Sequence, residues 1–112
     1  MKKLEIIIRP EKLETLKAIL VKNEYNGMTV TAAMGCGHQK TLADKSERET
    51  MEVNLLPKIH VMTVVLDEDM EEILTEIHEK LSSGNVGDGT VFVSEVIDVM
   101  RIRTGERGHK VL

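Results

Sequence analysis

The chain has 112 residues, enough for one domain with one core and too few for two. Its 41% hydrophobic and 30% charged residues argue against a disordered segment or a coiled coil. A formal net charge of -4, with no Trp, one Tyr and one Phe, argues against nucleic acid as a partner, because neither a basic surface nor a stacking platform is available. The single cysteine, Cys36, leaves no internal disulfide and fits a reducing compartment. The N-terminal apolar run is broken at Arg9 and Pro10, too early for a signal peptide or a membrane span, so a cytoplasmic location is expected.

In chain order, Leu4 to Arg9 ("LEIIIR") is β-branched and stopped by Pro10, which predicts a strand. Leu13, Leu16, Ile19 and Leu20 then recur at helical spacing, and Asn26 and Gly27 supply the stop. Met28 to Ala33 alternates and predicts a second strand. From Gly35 to Lys58 runs a polar insert, "GCGHQKTLADKSERETMEVNLLPK", too long for an ordinary turn and too poor in apolar residues to anchor to a core. Ile59 to Leu66 is a third strand. Asp67 and Asp69 open a second helix that carries Met70, Ile73, Leu74, Ile77 and Leu81 on one face. Ser82 to Gly89 is a glycine-rich turn, Thr90 to Arg103 reads as a last strand bent near Ser94 and Glu95, and a polar tail, about 104–112, is expected to be mobile.

Strand, helix, strand, strand, helix, strand is the α+β, ferredoxin-like βαββαβ order, in a single domain spanning 1–112. Strands one and three are apolar on both phases, yet the helices can cover only one sheet face. Self-association is the economical cover for the other.

The chemistry-bearing residues are few. Arg101 and Arg103, two apart on a predicted strand, project from one face and suit a polyphosphate or a carboxylate, although the same spacing also suits a solvated edge. "GDG" (Gly87 to Gly89) would let backbone N–H groups approach a phosphate, or serve only as a turn. Cys36 and His38 are at most two metal ligands, too few for a structural zinc site, and His60, His78 and His109 are scattered. No Ser/His/Asp grouping, catalytic carboxylate pair or Walker lysine loop appears, so the chain does not read as an enzyme.

"MKKLEIIIRPEKLETLK", "GMTVT", "GCGHQK", "LLPK", "GDG", "VFV" and "RIRTGERG" together resemble the PII nitrogen-regulatory signalling proteins over nearly the whole chain. The resemblance implies a homotrimer that binds ATP or ADP between subunits, takes up 2-oxoglutarate with Mg-ATP, and contacts partners through a long T-loop, here about 37–55. It implies nucleotide-binding roles for Thr29, Gly35, Gly37, His38, Gln39, Met62, Val64, Gly87, Asp88, Gly89, Thr90, Arg101 and Arg103, the arginines from a neighbouring subunit. For 2-oxoglutarate it implies Gly37, Gln39, Lys40, Thr41 and Lys58, with Gln39 also on magnesium. Its partners include ammonium transporters, transcription factors and metabolic enzymes. Lys45 and Arg48 are the expected partner contacts, Arg48 as the side chain that plugs a transporter and recruits the protein to the membrane.

The departures carry information of their own. Thr90 stands where a phosphate-binding Lys is common, His38 where Arg is common, and Thr41 where Gly is usual. Met51 replaces the tyrosine that is uridylylated in many members, and Glu49 a serine phosphorylated in some, so signalling through bound ligands alone is expected. Two other readings compete. One is a trimer of this kind with altered or lost nucleotide sensing that binds another small molecule or a metal. The other is a small ferredoxin-like phosphohydrolase, for which no base or nucleophile is visible.

Overall fold

The computed structural model describes residues 1–36 and 55–112. β1 (Lys2–Ile8) leads through a 3-10 turn (Pro10–Lys12) into α1 (Leu13–Lys22); β2 (Met28–Gly35), β3 (Leu56–Val65), α2 (Asp67–Leu81) and β4 (Gly89–Glu95) follow, and a short 3-10 turn at His109–Val111 ends the chain. The sheet order is β2-β3-β1-β4, with every neighbouring pair antiparallel. Each strand-helix-strand unit therefore straddles a strand of the other, which is the ferredoxin-like arrangement expected from the element order.

Alternation decides the faces. On β1, Leu4, Ile6 and Ile8 are buried, and across the ladder so are Val61, Thr63 and Val65 of β3. They meet Leu16, Ile19 and Leu20 of α1 and Ile73, Ile77 and Leu81 of α2 in one core. The opposite phase, including Ile7, Met62, Val64 and Phe92, points away from both helices, and Phe92 is 57% exposed. Neither helix covers that face, and among the described residues only the tail, through Val99, Val111 and Leu112, approaches it, at Met62 and Val64. His60 Nε2 sits there 3.5 Å from Glu5 Oε1.

Three boundaries differ from the sequence expectations. β2 and β3 run on to Gly35 and Leu56, which are register partners, so the stem of the insert is a zipped hairpin. Pro57 is tolerated because β1 stops at the Ile8–Ile59 pair and leaves this stretch of β3 without a neighbour on that side. α1 stops at Lys22, before Asn26 and Gly27. Its terminator is Glu24, held at φ 69°, with Glu24 N donating to Val21 O (2.9 Å) and Tyr25 N to Leu20 O (2.8 Å), the Schellman pattern.

The third correction concerns the last strand, expected to reach Arg103. It ends at Glu95 because β1 has no residues left to pair: Glu95 faces Lys2, and the final bond is Val96 N to Met1 O (3.1 Å). Beyond it the chain folds on itself through a Met100–Arg107 bridge and a Gly108 N to Val99 O bond (3.0 Å). The tail expected to be mobile is tied down by these bonds and by the Arg107–Asp98 ion pair, which holds the Asp98 carboxyl below its ordinary range.

The two halves of the fold are joined by Tyr25. Its hydroxyl accepts from Leu66 N (3.0 Å), the residue before α2, and donates to the Asp69 carboxylate in the first turn. Burial, then the Asp69 bond, pushes the phenol up to about 12. Tyr25→Phe leaves a backbone donor without this partner and is expected to cost about 1.5–3 kcal/mol, seen as a lower urea midpoint with an unchanged slope. An unchanged midpoint would mean that solvent replaces the phenol at no cost.

Candidate functional site

The chain leaves the sheet at Pro10, between β3 and β4, and the gap this opens is a cleft of about 340 Å³. One wall is the hairpin stem, with Gly35, Cys36, Leu56 and Lys58; the other is the turn from Asn85 to Gly89, continued by Thr90. Ile7, paired with His60 on one side and Thr90 on the other, forms the back.

The turn is rigidly organised. Gly84, Gly87 and Gly89 have φ of 79°, 95° and 128°, values that favour glycine. Asp88 closes the turn from inside, accepting from Ser83 N (2.7 Å) and Ser83 Oγ (2.5 Å). Those two bonds, with Arg9 nearby, hold the Asp88 carboxyl below the usual carboxylate range. Arg9 also donates from Nη2 to Val86 O (3.0 Å), fastening the turn to the end of β1. Asp88 is thus a brace for the turn, and what the turn offers a ligand is its backbone.

Lys58 is half-buried on the opposite wall and lies across Gly35: a Cβ at Gly35 would sit 3.1 Å from Lys58 Cγ. Among the described residues it is the only cation lining the cleft. One ammonium group facing a glycine-rich turn suits a carboxylate or one end of a phosphate chain. Thr90 adds a hydroxyl but no charge.

A second pocket, about 430 Å³, lies at the other end of the same sheet face. Thr29, Met62 and Val64 meet there with Val99, Val111 and Leu112 of the folded-back tail. Arg101 and Arg103 sit on the turn of that tail rather than side by side on a strand. Arg101 is paired with Glu106 Oε1 (2.8 Å) and donates to Val111 O (3.3 Å), and Gly105 N closes the turn on Arg101 O (2.7 Å); Arg103 is exposed. The tail leaves β4 at the end away from the first cleft, a strand length or about 20 Å distant. The two pockets therefore lie apart within one chain.

Of the residues singled out from the sequence, Gly35, Lys58, Gly87, Asp88, Gly89 and Thr90 converge on the first cleft, and Thr29, Met62 and Val64 on the second pocket. Gly37, His38, Gln39, Lys40, Thr41, Lys45 and Arg48 lie outside the described residues. Arg9, Asn85 and Val86 were not singled out from the sequence, and Cys36 was weighed only as a metal ligand or thiol.

Residues 1–106 match the family described as Nitrogen regulatory protein P-II. The chain belongs to the P-II family. Among relatives, the Nitrogen regulatory protein P-II 2 of Methanothermobacter thermautotrophicus is 41% identical over 112 residues, covering 100% of this chain and 97% of the relative. The Nitrogen regulatory protein P-II of Rhizobium meliloti is 43% identical over 108 residues, 96% of each chain. That of Pyropia yezoensis is 36% identical over 112 residues, the full length of both. P-II proteins are trimers that regulate partner proteins, and signalling regulators rather than enzymes. No helix among the described residues of this P-II protein is long and apolar enough to cross a membrane.

Proposed function

We propose that this P-II protein senses ATP or ADP in clefts between the protomers of a trimer and regulates a partner, such as an ammonium transporter, through the loop at about 37–55. The observation that carries this reading is the division of the site. A cleft with one cation among its described residues and a braced glycine turn lies at one end of the open sheet face, and an apolar pocket, with Arg101 bonded to its Val111, lies at the other. A ligand with a base and a phosphate chain uses both once a second copy brings its far end to the first copy's cleft, and the same packing covers the open face. In that arrangement Thr29, Met62 and Val64 hold the base, the turn and Lys58 meet anionic groups, and Arg101 and Arg103 arrive from the neighbour.

The donor set fits 2-oxoglutarate as well, because the Lys58 ammonium group beside the hairpin stem suits a carboxylate. Among the described residues no group of three His, Cys, Asp or Glu side chains is poised for a metal. On the family resemblance, magnesium would be held by phosphate oxygens and Gln39, and would neutralise charge there. With Met51 at the position of the modified tyrosine, occupancy of these sites is the signal.

Calorimetry with ATP, with and without magnesium and 2-oxoglutarate, tests the reading. ATP is expected to bind alone, and 2-oxoglutarate only with Mg-ATP present. Absence of heat with both ATP and ADP overturns it in favour of a P-II trimer that senses a different ligand, a reading that the single cation and Thr90 of the cleft also support.

A further inference from the structure

Glu24 adopts φ 69°, the one non-glycine residue at positive φ among those described, at the terminator of α1. A glycine would hold this Schellman turn without the steric cost that a Cβ brings to the left-handed region. Glu24 also borders the pocket that contains Thr29, Met62 and Val64. A strained side chain at the rim of a ligand pocket is the combination from which a binding role is inferred.

The polar inventory of that pocket narrows the role. The Thr63 hydroxyl is spent on Gly27 O (2.8 Å), and the Tyr25 hydroxyl on Leu66 N and Asp69. That leaves Asn26, Thr29 and Glu24 to address a ligand over an apolar floor of Met62 and Val64. Among the described lining side chains Glu24 alone carries a formal charge, and a carboxylate only accepts hydrogen bonds. Resting on the nucleotide reading above, we infer that Glu24 determines base specificity by accepting a hydrogen bond from the exocyclic amino group of the bound purine.

The probes are ATP and purine riboside 5′-triphosphate, which differ only in the 6-amino group. The full-length protein is expected to prefer ATP by about 5- to 10-fold, the range of one charge-assisted hydrogen bond at a partly solvated site. In Glu24→Gly that preference falls toward that left by Thr29 and the backbone, while Tm rises by roughly 4 °C as the strain is relieved. Glu24→Gln keeps both the strained backbone and an acceptor, and retains an intermediate preference. A purely structural Glu24 would raise Tm on replacement by glycine and leave the ratio of affinities untouched; that outcome overturns the inference while the nucleotide reading stands. Failure of the unmodified protein to bind either triphosphate overturns both.

Discussion

Gly89→Ala is expected to produce a protein that does not hold its fold. A Cβ at this position would lie 2.3 Å from Ile7 O, 3.3 Å from Ile7 C and 3.2 Å from Ile8 Cγ2, at a φ of 128° that side chains rarely adopt. Neither neighbour can yield. Ile7 and Ile8 belong to β1, which is paired on both sides, with β3 at His60 and Ile59 and with β4 at Thr90 and Gly89 itself. Moving the backbone of β1 would break both ladders, and moving Gly89 would detach the start of β4. The combined strain and overpacking should cost at least about 3 kcal/mol, a large share of the stability of a small domain. The measurement is the soluble yield and urea midpoint of Gly89→Ala beside those of Gly84→Ala. Gly84 also has positive φ (79°) but nothing within 4 Å of its missing Cβ, so its replacement should cost only about 1 kcal/mol. Equal midpoints for the two variants would show that the approach of β4 to β1 is not a constraint. The same contact explains why the turn ends where it does: only glycine lets the chain pass from the turn into the sheet this close to Ile7.

The contrast between these two glycines shows what sequence could and could not reveal. "GNVGDG" reads plainly as a turn, but which of its glycines is indispensable depends on the end of β1, far away in the chain. β-branched residues stopped by Pro10 in "LEIIIR" and the continuous apolar run "IHVMTVVL" located the two central strands, but, being apolar on both phases, neither showed which face the helices cover. The last strand was overextended for the converse reason. "VFVSEVIDVMRIR" has strand-like residues throughout, yet a strand ends where its partner ends, and Lys2 is the last residue β1 can offer Glu95. Misplacing that boundary also put Arg101 and Arg103 on one strand face, whereas they sit on a turn with Arg101 held by Glu106. Asn26 and Gly27 drew attention as the helix stop, and Glu24, with no compositional signal for a left-handed residue, was passed over. The glycine turn of the first cleft was legible in the sequence, whereas Lys58, Thr29, Met62 and Val64 came only with the resemblance; the placement of the two pockets at opposite ends of the sheet depends on topology.

Lys58→Gln is expected to remove most of the anion affinity of the first cleft. The ammonium group is the only cation among the described residues that line it, it is half-buried, and its stem is packed over Gly35, which limits where the charge can go. A hydrogen bond to a charged group contributes about 1.5–3 kcal/mol, so binding of 2-oxoglutarate in the presence of Mg-ATP should weaken by about 10- to 100-fold. The loss for ATP alone should be smaller, because in the proposed trimer the turn backbone and a neighbour's Arg101 and Arg103 would still meet the phosphates. Lys58→Arg should not restore the ligand: a planar guanidinium is wider than an ammonium group, and the Lys58 stem already lies across Gly35, so that a Cβ added at Gly35 would sit 3.1 Å from Lys58 Cγ. Calorimetric titration of 2-oxoglutarate into each variant saturated with Mg-ATP provides the measurement. If Lys58→Gln binds 2-oxoglutarate as the unmodified protein does, the carboxylate is held elsewhere and the cleft between the hairpin stem and the glycine turn serves the nucleotide alone. If ATP and 2-oxoglutarate fall together by the same factor, Lys58 acts on the phosphate chain, and the dependence of 2-oxoglutarate on Mg-ATP follows from that contact.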